Sequence, residues 1–255
     1  MQVMLATDLK DIDGVKFPVY ASPKIDGIRA YIKDGVVYSR SGKPIPNQLI
    51  QAKYGNNHGF DGELFYDGGD FSKTTSIVLS PTKPIDNIKF VFFDRWDRNI
   101  GFEQWYYFHR CSAITADFFP ITQTEIVSKK DLLRYEQDTL DKGYEGVMIR
   151  YPDSLYTQGR STELLKMKRY LESEAEVICA KCRNNIMKHL VVKDIHTGVE
   201  FNLSSGFTAE MREDFYDVTA FFRNGYVAVY KYLGLGNNGK PRHPVFLGTR
   251  WVGDL

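Results

Sequence analysis

Ala21-Ser22-Pro23-Lys24-Ile25-Asp26-Gly27-Ile28-Arg29 is the stretch around which the rest of the chain is arranged. A proline holds the backbone extended just before Lys24, and Gly27 admits geometries that other residues avoid. The alternating run Ile28 to Ile32 that follows has strand spacing. Lys24 is therefore expected at a fixed bend between two strands. Alone, the same residues fit a surface turn of solvated charges equally well, so the rest of the chain has to decide.

Outward from the bend, a strand is expected before it at Phe17 to Ala21, and Asp34-Gly35 marks a hairpin between Ile28–Ile32 and Val36–Tyr38. A short helix follows from Leu49 to Tyr54. Strands are read at Phe60 to Phe65, Lys89 to Phe93, Ile121 to Val127, Gly146 to Arg150 and Leu164 to Lys168. Asp70 and Ser72 offer caps for one helix, aromatic spacing suggests another from Phe102 to Phe118, and Ser128 caps a third from Leu132 to Lys142. Strands and helices mix without regular alternation, which favours an α+β fold of antiparallel sheets with helices. Beyond Tyr170 short strands dominate, at Ala175–Ala180, Leu190–Ile195, Val199–Leu203, Tyr226–Tyr232 and Val245–Arg250. One helix, about Thr208 to Phe222, interrupts them, which suits a small closed barrel such as an OB-fold. The expected domains are 1–170 and 171–255.

At 255 residues, with 43% hydrophobic and 25% charged residues, the chain has the composition of a soluble globular protein. No apolar run reaches membrane-span length and no signal peptide is visible, so the default is a cytoplasmic protein without a membrane partner. Three cysteines make no disulfide framework, and Cys179-x-x-Cys182 lacks the second half of a zinc site. A net charge of +1 means that nucleic-acid binding would need a local basic groove.

Several residues carry chemistry. A nucleophilic lysine has to be neutral, and a free lysine is so only roughly once in 2,500 molecules at pH 7. A phosphate substrate also needs carboxylate-held metal and cationic clamps. Asp26, Glu63 and Glu145 each stand beside glycine at strand ends, where the backbone is expected to approach a ligand closely. Lys166 and Lys168 alternate on one strand and share a face. Phe93 is placed to stack on a purine. Each residue singly also reads as an exposed acid, an edge lysine or a core aromatic.

Taken in order, these residues resemble the motifs of the covalent nucleotidyltransferases, namely ATP-dependent DNA ligases, RNA ligases and mRNA capping enzymes. Lys24-Ile25-Asp26-Gly27-Ile28-Arg29 matches their motif I, and Ser39-Arg40-Ser41-Gly42 is similar to the arginine motif after it. Asp61-Gly62-Glu63, Phe92-Phe93-Asp94, Glu145-Gly146-Val147-Met148 and Leu165-Lys166-Met167-Lys168 resemble motifs III, IIIa, IV and V. Arg242 to Arg250 looks like motif VI of small viral ligases, and Ser205-Gly206-Phe207-Thr208 like part of their OB domain.

The resemblance implies an adenylation (nucleotidyltransferase) domain followed by an OB-fold domain. It implies a minimal phage or viral ATP-dependent DNA ligase that acts as a monomer on nicked double-stranded DNA, with ATP and Mg²⁺ or Mn²⁺. Lys24 would carry the covalent AMP, with Ser22 and Ile25 beside it in the nucleotide site. Phe93 would stack on adenine, Arg29 and Glu63 would meet the ribose, and Lys166 and Lys168 the α-phosphate. Arg40 would contact the phosphate of AMP or of the nick. Glu145, with Asp26 and Glu63, would hold the metal. Arg160 would bind the nicked strand, and Arg242 and Arg250 would orient pyrophosphate. The basic loop Lys181 to Lys188, with Arg183, is a further DNA-contact candidate. An RNA ligase, a capping-type enzyme and a non-catalytic nick-binding module are the alternatives.

Overall fold

The computed structural model describes residues 1–254 other than 70, 111–114, 214–221, 223 and 237. The chain divides into two units, Met1–Lys168 and Arg169–Leu255. The first runs β1 (Met4–Asp8), β2 (Val19–Pro23), β3 (Ile28–Lys33), β4 (Val36–Ser39), α1 (Gln48–Tyr54), β5 (Phe60–Tyr66) and α2 (Phe71–Val78). It continues through β6 (Ile88–Arg95), α3 (Phe102–His109), β7 (Phe118–Pro120), β8 (Thr124–Ile126), α4 (Lys129–Asp141), β9 (Val147–Arg150) and β10 (Gly159–Met167). Its two sheets have the orders β1-β10-β9-β2-β8 and β4-β3-β5-β6-β7. The bend at Lys24 is thus the crossing from the first sheet to the second.

Local chemistry accounts for the ends of these elements. Asp34 and Gly35, at φ 50° and 81°, form the tight turn between β3 and β4 that the right-handed twist of the strands requires. The Asn47 side chain accepts from the backbone N–H groups of Leu49 and Ile50 and so starts α1. Ser128 caps α4 by accepting from the Asp131 N–H, while its hydroxyl donates to the Asp131 carboxylate. The second sheet buries Ile32, Leu64, Phe90 and Phe92 with Trp105 of α3, and the first buries Val19, Val147 and Ile149 with Leu132 of α4. Each fully buried side chain of this kind contributes about 1.5–3 kcal/mol.

Three expectations for this unit are corrected. Neither sheet is wholly antiparallel, because β1 pairs with β10 and β6 with β7 in parallel. The β1–β10 pairing joins strands distant in sequence, and the β6–β7 pairing crosses over through α3; turn signals reveal neither. The helix expected over Phe102–Phe118 ends as α3 at His109, and Phe118 lies on β7 against Phe90 and Phe92. Ser72 falls inside α2 and does not cap it, and Asp70 lies outside the described residues.

The second unit contains β11 (Leu171–Arg183), β12 (Ile186–Asp194), β13 (Glu200–Leu203), α5 (Ala209–Glu213), β14 (Tyr226–Tyr232) and β15 (Val245–Trp251). The strand order is β13-β12-β11-β14-β15, and a bridge from Ser205 to Val245 draws the two edges together, as in a small barrel. Its core gathers Ala175, Leu190, Val192, Phe201, Leu203, Tyr230 and Phe246. Buried Asp194 accepts from the hydroxyls of Ser173, Tyr230 and Thr197. The rest of the helix expected up to Phe222 falls largely outside the described residues. The stretch Lys181–Lys188 is a hairpin and not a loop: pairing continues to Arg183↔Ile186, and Asn184 and Asn185 make the turn at φ 52° and 59°.

Candidate active site

Two backbone hydrogen bonds bring the Lys24 bend beside the segment that leads into β9. The Lys24 N–H donates to the Gly146 carbonyl at 2.8 Å, and the Glu145 N–H to the Lys24 carbonyl at 3.4 Å. A Cβ at Gly146 would lie 2.2 Å from the Met167 carbonyl oxygen, and one at Gly27 would lie 2.4 Å from that of Leu64. These glycines therefore let neighbouring strands approach, and the close backbone contact expected with a ligand is made with protein instead.

The Lys24 ammonium pairs with Glu145 Oε2, and the Lys168 ammonium with Glu145 Oε1. The Glu145 side chain is only 4% exposed, against 24% for Lys24 and 14% for Lys168. Burial alone would raise the Glu145 carboxyl, but Lys24 and Lys168 overcome it and hold the group below the usual carboxylate range. Burial, with Lys24 and Lys166 nearby, lowers Lys168 despite its pairing with Glu145.

Beside this cluster opens a cleft of about 310 Å³. Met4, Ser22, Met148 and Lys166 line it from the first sheet, and Arg29, Glu63 and Phe93 from the second. The Arg29 guanidinium lies 4.5 Å from the centre of the Phe93 ring. It is fixed from behind by a bidentate pair with Asp61, both contacts at 2.6 Å, and donates to the Met4 carbonyl at 3.1 Å. Glu63 lies across the ladder from Arg29. Burial pushes its carboxyl up to about 7 against the opposing pull of Arg29 and Lys24. At the cleft floor, Asp94 accepts from Arg98 at 2.5 Å and from Arg150 at 2.7 Å, and Arg150 also donates to Ser154 at 2.6 Å. Arg150 on β9 and Asp94 on β6 thereby tie the two sheets together.

A family model described as a DNA ligase OB-like domain matches residues 182–250. A DNA ligase of Haemophilus influenzae is 29% identical, with 88% of this chain and 84% of that one covered. A solved structure from a structure–function study of Lig E DNA ligases superposes with a TM-score of 0.81 at 27% identity, over 98% of this chain and 99% of the other. A Chlorella virus DNA ligase–adenylate structure is 34% identical over 98% of each chain, with a TM-score of 0.59. The chain belongs to the ATP-dependent DNA ligases.

The cleft of this ligase collects most of the residues expected at a nucleotide site: Ser22, Lys24, Ile25, Arg29, Arg40, Glu63, Phe93, Arg160, Lys166 and Lys168 all line it. Lys166 is 3.2 Å from Asp8 of β1, and exposed Arg160 donates to the Ala6 carbonyl at 2.7 Å. The expected metal trio is not assembled. Among the described residues no three His, Cys, Asp or Glu side chains group as a metal site requires, and Asp26 does not line the cleft. Both carboxylate oxygens of Glu145 are engaged by lysines instead.

Lys181, Arg183, Lys188, Arg242 and Arg250 belong to the second unit. The first three are exposed on the β11–β12 hairpin. Arg242 lies in the β14–β15 connection, where its backbone bonds Leu233 and Gly234. Arg250 is ion-paired with Glu174.

Sequence reasoning missed the wall made by β1, the Asp61 and Tyr156 support of Arg29, and the Arg98–Asp94–Arg150 floor. The Tyr156 hydroxyl donates to Asp61 at 2.6 Å and accepts from the Met4 N–H at 3.0 Å. The apolar run Val3-Met4-Leu5-Ala6 is the signal that marks β1.

Proposed function

We propose that this ligase seals 5′-phosphate/3′-OH nicks in duplex DNA, as a monomer, with Lys24 as the residue that carries AMP. The convergence of the cleft residues Lys24 and Lys168 on one buried carboxylate carries the reading. Attack requires the Lys24–Glu145 pair to open and the nitrogen to shed its proton. The Lys24 nitrogen then bonds to the α-phosphorus of ATP and pyrophosphate leaves. The AMP passes to the DNA 5′-phosphate and frees Lys24. Attack by the neighbouring 3′-OH forms the phosphodiester and releases AMP.

Lys166 and Lys168 are placed to neutralise charge developing on the α-phosphate in each step. Arg29, held rigid by Asp61, meets the ribose together with Glu63, and Phe93 meets the base. Arg40 and Arg160 guide the nicked strand along the rim of the cleft. Arg242 and Arg250 orient pyrophosphate, and for Arg250 this means release from Glu174.

The ionised Glu145 carboxylate is a hard oxygen donor suited to Mg²⁺ or Mn²⁺. A single carboxylate fits the mode in which phosphate oxygens and water complete the coordination. When bound, the ion supplies positive charge at the reacting phosphates. The contribution of the chain is to keep Glu145 ionised and aimed.

The test uses Lys24→Ala with labelled ATP and two nicked duplexes. Adduct formation and sealing of the plain nick should disappear, and a nick already adenylated at its 5′ end should still be sealed. Normal adduct in the variant would overturn the assignment of Lys24.

A further inference from the structure

One cleft residue has no part in the chemistry above. The register of the first sheet sets Lys166 opposite Met148, and Met148 opposite Ser22. Ala21 lies opposite Thr124, so continuing one residue sets Gln123 opposite Ser22. Laterally paired residues share a sheet face, so Lys166, Met148 and Ser22 form one row, which Gln123, one residue before β8, extends; all four line the cleft. The row crosses four strands, roughly 14 Å at the usual strand spacing. It runs from the phosphate-binding lysines to an end walled by buried Ile121 and by Phe93.

At that end the backbone is held firmly. The Ile121 N–H donates to the Phe92 carbonyl at 2.8 Å, and the Gln123 N–H to the Tyr106 hydroxyl at 3.0 Å. The Gln123 side chain is partly buried, and its carboxamide makes no hydrogen bond among the described residues. The result is a donor and an acceptor on a rigid support beside an apolar slot, with both groups unpaired among the described residues.

We propose that Gln123 is a specificity-determining residue that reads the N6/N7 edge of adenine, an inference that rests on the cleft binding ATP as described above. A carboxamide matches that edge bidentately, its NH₂ donating to N7 and its carbonyl accepting from the 6-amino group. Guanine presents two acceptors there, N7 and O6, and leaves the Gln123 carbonyl facing O6 without a partner. Ser22, next in the row, lies beside the same edge of the base.

The experiment measures kcat/KM for formation of the covalent nucleotide adduct with ATP, 7-deaza-ATP and GTP. It compares the wild type with Gln123→Ala and Gln123→Glu. Loss of one neutral hydrogen bond is worth about tenfold or less, so the wild type should favour ATP over 7-deaza-ATP by up to about tenfold, expressed in KM. Gln123→Ala should erase that preference and narrow the gap between ATP and GTP, with kcat for ATP retained. Gln123→Glu, which keeps an acceptor for the 6-amino group and loses the donor to N7, should erase the 7-deaza preference and still favour ATP over GTP. A Gln123→Ala variant that discriminates as the wild type does would overturn the assignment of Gln123 alone. A wild type that forms no adduct with ATP would overturn the nucleotide reading and this inference with it.

Discussion

Glu145 and Asp94 occupy sites of the same charge count, one buried carboxylate between two cations, and do opposite jobs. Asp94 faces Arg98 and Arg150, whose side chains are 2% and 6% exposed. Arg150 also bonds Ser154, and Arg98 the Ser154 carbonyl, so their fork-shaped donors are occupied by protein. Glu145 faces Lys24 and Lys168, which are compact charges on flexible stems, partly open to the cleft, with donors left for other partners. The difference teaches that arginine holds the two sheets in place, whereas lysine leaves the same electrostatic arrangement exchangeable.

The largest effect should come from breaking the fixed site. Asp94→Ala strands two buried guanidinium groups, at a cost of about 3–5 kcal/mol. For a domain of this size that lowers the midpoint of a thermal melt by roughly 6–20 °C. Glu145→Gln should leave the melting midpoint within about 3 °C and reduce adduct formation by about 10²–10³-fold, read by single-turnover assay with ATP. If the two variants exchanged phenotypes, the contrast between the sites would be wrong.

The same contrast explains what is legible in sequence. Turn and cap chemistry is local, so Asp34-Gly35 and Ser128 announce the elements they bound. The spacing of Lys166 and Lys168 also announces a shared face, and both line the cleft with Lys24. The fixed site is silent because its members reach across the fold: Arg150 meets Asp94 over a separation of 56 residues, and Tyr156 meets Asp61 over 95. β1 is silent for the same reason, since its parallel partner β10 lies at the far end of the unit. The basic hairpin at Lys181–Lys188 is misread as a loop because exposed polar side chains conceal a continuing backbone ladder. The acid–glycine pairs point to the right place for the wrong reason, since at Gly27 and Gly146 a neighbouring strand fills the space assigned to a ligand.

A third carboxylate sharpens the comparison with a smaller effect. In the second unit Asp194 is held by neutral donors: burial would raise its carboxyl, but the Ser173 and Tyr230 hydroxyls and Thr197 bring it down to about 2. Its folded value lies below the unfolded value of about 3.9. The stability it contributes is therefore fully present above that unfolded value and is lost as pH falls from about 4 toward 2. Asp194→Asn should remove this acid-dependent part, on the order of 2 kcal/mol, from denaturation curves measured between pH 5 and pH 2. An unchanged pH slope would show that hydroxyl donors alone do not hold the charge.

The central claim is that the exchangeable lysine beside Glu145 is the one that becomes adenylated. Mass spectrometry of peptides from ligase incubated with ATP and a divalent cation, without DNA, tests it directly. The account predicts one AMP, on Lys24, removed when nicked DNA is added. AMP on Lys168 or Lys166 with Lys24 unmodified would contradict it.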